Sequence, residues 1–122
     1  LKFEWIEPNH CIVFIKNRTA VQNHIGGVHA IGMQLIAESA TGALVALNTQ
    51  PHCIPVIKRM EADYRKRSKG DMRAEAMLTS EQIEMIRTQD KGEVDVAVTI
   101  TDEEGKEPIF VRAIWAWTPI RK

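Results

Sequence analysis

Apolar positions along the chain change period twice, and the changes mark out its elements. Cys11-Ile-Val-Phe-Ile-Lys16 is a β-branched and aromatic run after a Pro8-Asn9 turn, which predicts a buried strand with Lys2 to Ile6 as hairpin partner. Polar residues then run from Asn17 to the pair Gly26-Gly27, where the backbone can turn sharply or come close to a ligand. From Val28 to Leu47 the chain is rich in Ala, Leu and Ile. About 20 residues at ~1.5 Å rise make a helix ~30 Å long, the width of a small domain. It is apolar nearly all round, which predicts burial on every side.

Alternation returns after Asn48. Ile54, Val56, Met60, Ala62 and Tyr64 share one face of a long half-buried strand, and Arg59, Glu61, Asp63, Arg65 and Arg67 the other. Gly70-Asp71 turns the chain; Met72, Ala74, Ala76 and Leu78 keep the period of two, as do Val94, Val96, Val98 and Ile100. Asp102-Glu-Glu-Gly105 predicts a hairpin turn, and the last strand, Ile109 to Thr118, is apolar on both faces and so belongs centrally or at an interface. Thr79 and Gln82 form a capping box before Ile83 and Ile86, with Gly92 as a stop, which predicts a short connecting helix. A strand, a long helix and four strands joined mainly by tight turns require an antiparallel sheet curled around one helix. The expected class is therefore α+β with the hotdog architecture, one domain over residues 1–122. Its open sheet edges predict self-association as a homodimer or homotetramer.

Composition narrows the partners. Sixteen basic and 16 acidic side chains cancel, so no global field draws the chain to nucleic acid or to a membrane surface. The apolar stretch from Ala30 to Leu47 is broken by Gln34, Glu38 and Thr41 and is too polar for a bilayer span. Cys11 and Cys53 lie far apart without CxxC spacing, which fits reduced thiols and a cytoplasmic location. His52-Cys53 has no matching pair at ligand spacing, so neither a metal nor another cofactor is expected. The chain begins at Leu1 rather than Met, which leaves room for residues upstream.

One residue stands out chemically. Glu38 lies mid-helix among Leu35, Ile36, Ala37 and Ala40, and an unpaired buried carboxylate is costly. Gln34, Glu38 and Thr41 follow i, i+4, i+7 spacing and form one polar stripe. Such a stripe faces solvent, enters a structural hydrogen-bond network, or lines a wet cleft in which a desolvated carboxylate serves as general base or nucleophile. His29, beside Gly26-Gly27 at the helix start, is either a capping or core histidine or part of a site where free N–H groups stabilise an oxyanion. His29 and Glu38 are nine positions apart. At ~100° per residue that spacing puts them on opposite faces of one helix. Either His29 precedes the regular helix, or the two meet across a two-fold interface.

The run Asn23-His-Ile-Gly-Gly-Val-His-Ala30 followed by Leu35-Ile-Ala-Glu38 resembles the motif of PaaI-like hotdog thioesterases: Asn, Gly, His, Gly, then Asp or Glu on the central helix. The similarity extends through Tyr64 and Lys69-Gly-Asp71 to Asp102-Glu-Glu-Gly105, and is greatest to the branch known as a domain of unknown function. The resemblance implies hydrolysis of an acyl-CoA or other acyl thioester at a site built from two subunits. Glu38 would activate water or attack the carbonyl, the Ala30 N–H would bind the carbonyl oxygen, and Asn23 and His29 would position the thioester. Two departures stand against it: Ala30 replaces the usual Gly, and Val56 or Ile57 stands where some members carry a hydroxyl. A noncatalytic acyl-CoA or lipid-binding module is the alternative, whereas a hotdog dehydratase lacks its proline-rich histidine motif here. Arg65-Lys-Arg-Ser-Lys69 is either a solvated strand end or, as in similar proteins, a landing site for the phosphates of coenzyme A, with Arg65, Arg67 and Lys69 as its contacts.

Overall fold

The computed structural model describes residues 1–16, 30–65 and 70–120. Its elements in chain order are β1 (Lys2–Glu7), β2 (His10–Ile15), α1 (Ala30–Asn48), β3 (Cys53–Tyr64), β4 (Met72–Met77), α2 (Ser80–Thr88), β5 (Gly92–Thr101) and β6 (Ile109–Pro119). The strands make one antiparallel sheet in the order β1-β2-β4-β5-β6-β3. Helix α1 carries the chain from β2 to the far edge, where β3 begins, and packs against β2, β3, β4, β5 and β6. Strand β6 lies inside the sheet between β5 and β3, as its apolar composition predicts.

The core is the contact between the inner face of the sheet and one side of α1. Ile36, Ala37, Ala40, Leu44 and Val45 are fully enclosed against Val13, Met72, Ala74, Ala76, Val96 and Trp117. Each large aliphatic side chain in this layer contributes about 1.5–3 kcal/mol. The helix is not buried on every side, however. Leu35 and Leu47 are 46% and 49% exposed, because a single curled sheet covers only part of a cylinder and the remaining face needs another surface to hide it.

Strand β3 also departs from the simple alternation. Ile57 pairs with Trp115 and Arg59 with Ile114, so Lys58 is an extra residue, a β-bulge, that inverts the facing of the later part of the strand. Cys53 is buried before the bulge, while Met60 and Ala62 pack on the core after it. Ile54 and Val56, expected on the face of Met60, are 43% and 45% exposed instead. The strand ends at Tyr64. The capping box of α2 forms as expected: the Thr79 hydroxyl accepts from the Gln82 N–H at 3.1 Å and the Gln82 side-chain oxygen accepts from the Thr79 N–H at 2.9 Å. Gly92 does not stop that helix, which ends at Thr88; it opens β5 under the indole of Trp117, where an added Cβ would lie 2.6 Å from Cζ2. No described helix is long and apolar enough to cross a membrane.

Candidate active site

The bulge at Lys58 shapes the site as well as the strand. By inverting the alternation it turns the side of β3 that carries Met60 and Ala62 inward, and Tyr64, next in that series, reaches the first turns of α1. There the Gln34 amide donates to the Tyr64 hydroxyl at 2.6 Å. Glu38 lies one turn farther along α1, about 6 Å up the axis and on the same side. It is exposed, on the helix face that the described sheet leaves bare. Leu35 adds an exposed apolar surface and Ser39 is only half-buried. In one chain, then, Glu38 is open to water and lacks the burial expected of an all-round buried helix.

Thr41 does not share that face. It is fully buried, donates to the Ala37 carbonyl at 2.8 Å and accepts from the Trp115 indole N–H at 2.8 Å. The helical repeat explains the difference: relative to Gln34, four steps turn Glu38 by ~40° away from the sheet, and seven turn Thr41 ~20° under it. The expected stripe of three is therefore a pair, Gln34 and Glu38, and Thr41 is a core clamp rather than a substrate contact. The six-membered ring of Trp115 lies on Gly42, where a Cβ would fall 2.6 Å from Cζ2, so this indole fixes the angle at which α1 crosses the sheet.

Ala30 is the first described residue of α1. Asn23, Gly26, Gly27 and His29, and Lys66, Arg67 and Lys69 of the basic run, lie outside the described residues. Arg65 donates to Asp63 at 3.1 Å, and its guanidinium stacks over Phe110 at 4.9 Å, so this member of the basic run is held on the outer surface of the sheet. Tyr64 keeps the facing that its alternation with Met60 and Ala62 predicts, and its hydrogen bond to Gln34 is a tertiary contact. Cys11, expected to behave as a small hydrophobe, is fully enclosed, and burial pushes its thiol pKa up.

Residues 1–117 match the family Domain of unknown function (DUF4442). The chain belongs to this family. No curated protein matches it. Among solved structures, a Pseudomonas aeruginosa protein of unknown function, named "Probable Thioesterase", is 27% identical with a TM-score of 0.87, covering 98% of this chain and 83% of that one. A thioesterase from Staphylococcus aureus is 18% identical with a TM-score of 0.77, covering 97% and 93% of the two chains. A Haemophilus influenzae thioesterase is 13% identical, with a TM-score of 0.75 over 99% and 80%. The last two likenesses speak for the fold alone. The DUF4442 chain thus has the hotdog fold that its alternation and central helix predict, within the PaaI-like thioesterase superfamily and its branch of unknown function.

Proposed function

We propose that this DUF4442 protein hydrolyses an acyl thioester, with acyl-CoA as the substrate class and Glu38 as the reacting carboxylate. The observation that supports this most is the position of Glu38: an accessible carboxylate on the central helix, one turn from the Gln34–Tyr64 hydrogen bond. The name of the Pseudomonas aeruginosa neighbour agrees with thioester hydrolysis. Glu38 takes a proton from water as it adds to the carbonyl carbon, or adds itself and is released by water. The negative charge that develops on the carbonyl oxygen falls to the Ala30 N–H at the positive end of α1. Collapse of the adduct releases the thiol and leaves the carboxylic acid. Asn23 and His29 orient the thioester.

A second copy completes the site. Strand β3 offers its outer edge over 12 residues, and exposed Leu35 and Ala46 lie on the bare face of α1. A homodimer or homotetramer that covers these surfaces would remove water from Glu38 and bring the partner's helix start toward it. The replacement of Gly by Ala at position 30 favours the second reading, a module that binds an acyl-CoA or lipid without turnover, since the extra methyl narrows the approach to the oxyanion donor.

Kinetics with two kinds of thioester test the carrier. Neutralising Arg65, Lys66, Arg67 and Lys69 together is expected to raise KM for CoA esters more than for short thioesters that lack the nucleotide, with kcat little changed. The difference should shrink as salt rises, since exposed charges are screened over ~10 Å at 0.1 M ionic strength. Equal changes for both substrates would make the basic run a solvated strand end.

A further inference from the structure

At the end of the sheet where α1 gives way to β3, the fold brings together a histidine, a cysteine and an aspartate that the sequence keeps apart. His52 comes from the turn before β3, Cys53 is the first residue of that strand, and Asp90 comes from the loop between α2 and β5. One ligand atom from each, an imidazole nitrogen, Sγ and a carboxylate oxygen, lies within 4.8 Å of the other two. His52 Nε2 is 2.7 Å from Asp90 Oδ1, and the Cys53 thiol donates to the Asp90 carbonyl at 3.3 Å. From these contacts we infer that His52, Cys53 and Asp90 bind a borderline-soft divalent cation of the zinc class, in a site separate from Glu38.

The donor set has the chemistry of such an ion. Nitrogen, sulfur and oxygen donors bind zinc at about 2.0–2.3 Å, and three protein ligands plus water make an open tetrahedral site. A hard cation such as magnesium would have little use for the thiol. The backbone is fixed on both sides. The His52 carbonyl accepts from the Ile120 N–H at 2.8 Å, the Cys53 N–H donates to the Gln50 carbonyl at 2.9 Å, and the Trp117 indole donates to the Gln89 carbonyl at 2.8 Å. The side chains keep freedom to close on an ion, since His52 and Asp90 are 53% and 65% exposed. Cys53 supplies the anchored ligand, only 6% exposed. Burial, and then the charge of Asp90, push its thiol pKa up in the absence of a cation. Binding then exchanges the thiol proton for the metal: the dication and the thiol give a metal thiolate and one released proton. The bound ion would tie the α1–β3 turn to the α2–β5 loop and change the sign of the electrostatics at Asp90 from repelling a thiolate to holding one.

Cobalt(II) provides a readout that does not depend on hydrolysis. The full protein, free of tags and stripped with a chelator, is titrated with Co²⁺ and then with Zn²⁺. One equivalent of Co²⁺ is expected to give a thiolate-to-cobalt charge-transfer band and visible bands of tetrahedral intensity, which Zn²⁺ bleaches. The charge-transfer band should disappear in Cys53→Ser and survive in Cys11→Ser. His52→Ala and Asp90→Asn, both changes at exposed side chains and so neutral for folding, should weaken Co²⁺ binding by roughly tenfold or more. Zn²⁺ should raise the melting temperature of the wild type and not of His52→Ala. Absence of a thiolate band in the wild type at micromolar protein and metal, or equal Co²⁺ affinity in the wild type and His52→Ala, overturns the assignment.

Discussion

Glu38→Gln is expected to leave the protein folded and assembled while removing most of its thioester hydrolysis. The amide has nearly the shape of the carboxylate but neither takes a proton nor attacks a carbonyl. Loss of a general base costs roughly 10²- to 10⁴-fold in rate, whereas an ordinary surface change shifts stability by no more than about 0.5 kcal/mol. Glu38 lies on the bare face of α1, away from the enclosed side that carries Ile36, Ala37 and Ala40, so the change removes no core contact. The shared site can be examined with the same variant. Mixing Glu38→Gln protein with inactive His29→Ala protein should restore part of the activity, because some mixed dimers then hold one intact site, provided that subunit exchange is verified separately. Wild-type turnover by Glu38→Gln would remove Glu38 from the reaction. Failure to complement after proven exchange would place both residues in one subunit.

The largest loss of stability is expected at Trp117. Its side chain is 1% exposed in the core, its indole N–H donates to the Gln89 carbonyl at 2.8 Å, and its ring fills the space above Gly92. Trp117→Ala removes the ring and the donor at once, and a change of this kind costs about 3–5 kcal/mol. Set against a total of roughly 5–15 kcal/mol for a domain, that is about a fifth of the stability or more. Chemical denaturation should show the midpoint falling with little change in slope. Trp117→Phe should lose less, because it keeps most of the ring and gives up mainly the hydrogen bond. A Trp117→Ala protein as stable as the wild type would mean that the β6 face packed on α1 contributes little to the core.

The hotdog fold was legible because its signals are local and agree with one another. The alternation of Met72, Ala74 and Ala76 and of Val94, Val96 and Val98, the capping box at Thr79 and Gln82, and the long Ala- and Leu-rich helix each hold in the structure. The facing of Ile54 and Val56 was not legible, because one bulged residue at Lys58 reverses the alternation without disturbing composition. Tyr64 stays on the face of Met60 and Ala62 as the alternation predicts, but its contact with Gln34 is tertiary and has no local signal. For Thr41 the spacing suggested a stripe, but the drift of the helical repeat carries it under Trp115. The meeting of Asp90 with His52 and Cys53 is purely tertiary: residues 38 positions apart come together because β5 and β3 both flank β6. Asn23, Gly26, Gly27 and His29 rest on motif spacing, and the described part of the candidate site holds Gln34, Glu38 and Tyr64.

The most direct measurement is thiol release from a panel of acyl-CoA esters of graded chain length, run beside equilibrium binding of the same esters. As a thioesterase, the protein should release free thiol steadily, with many turnovers per site, from at least one ester, and the release should fall to background in Glu38→Gln. Saturable binding of acyl-CoA with no thiol released by the wild type would contradict hydrolysis and identify the protein as a noncatalytic binding module.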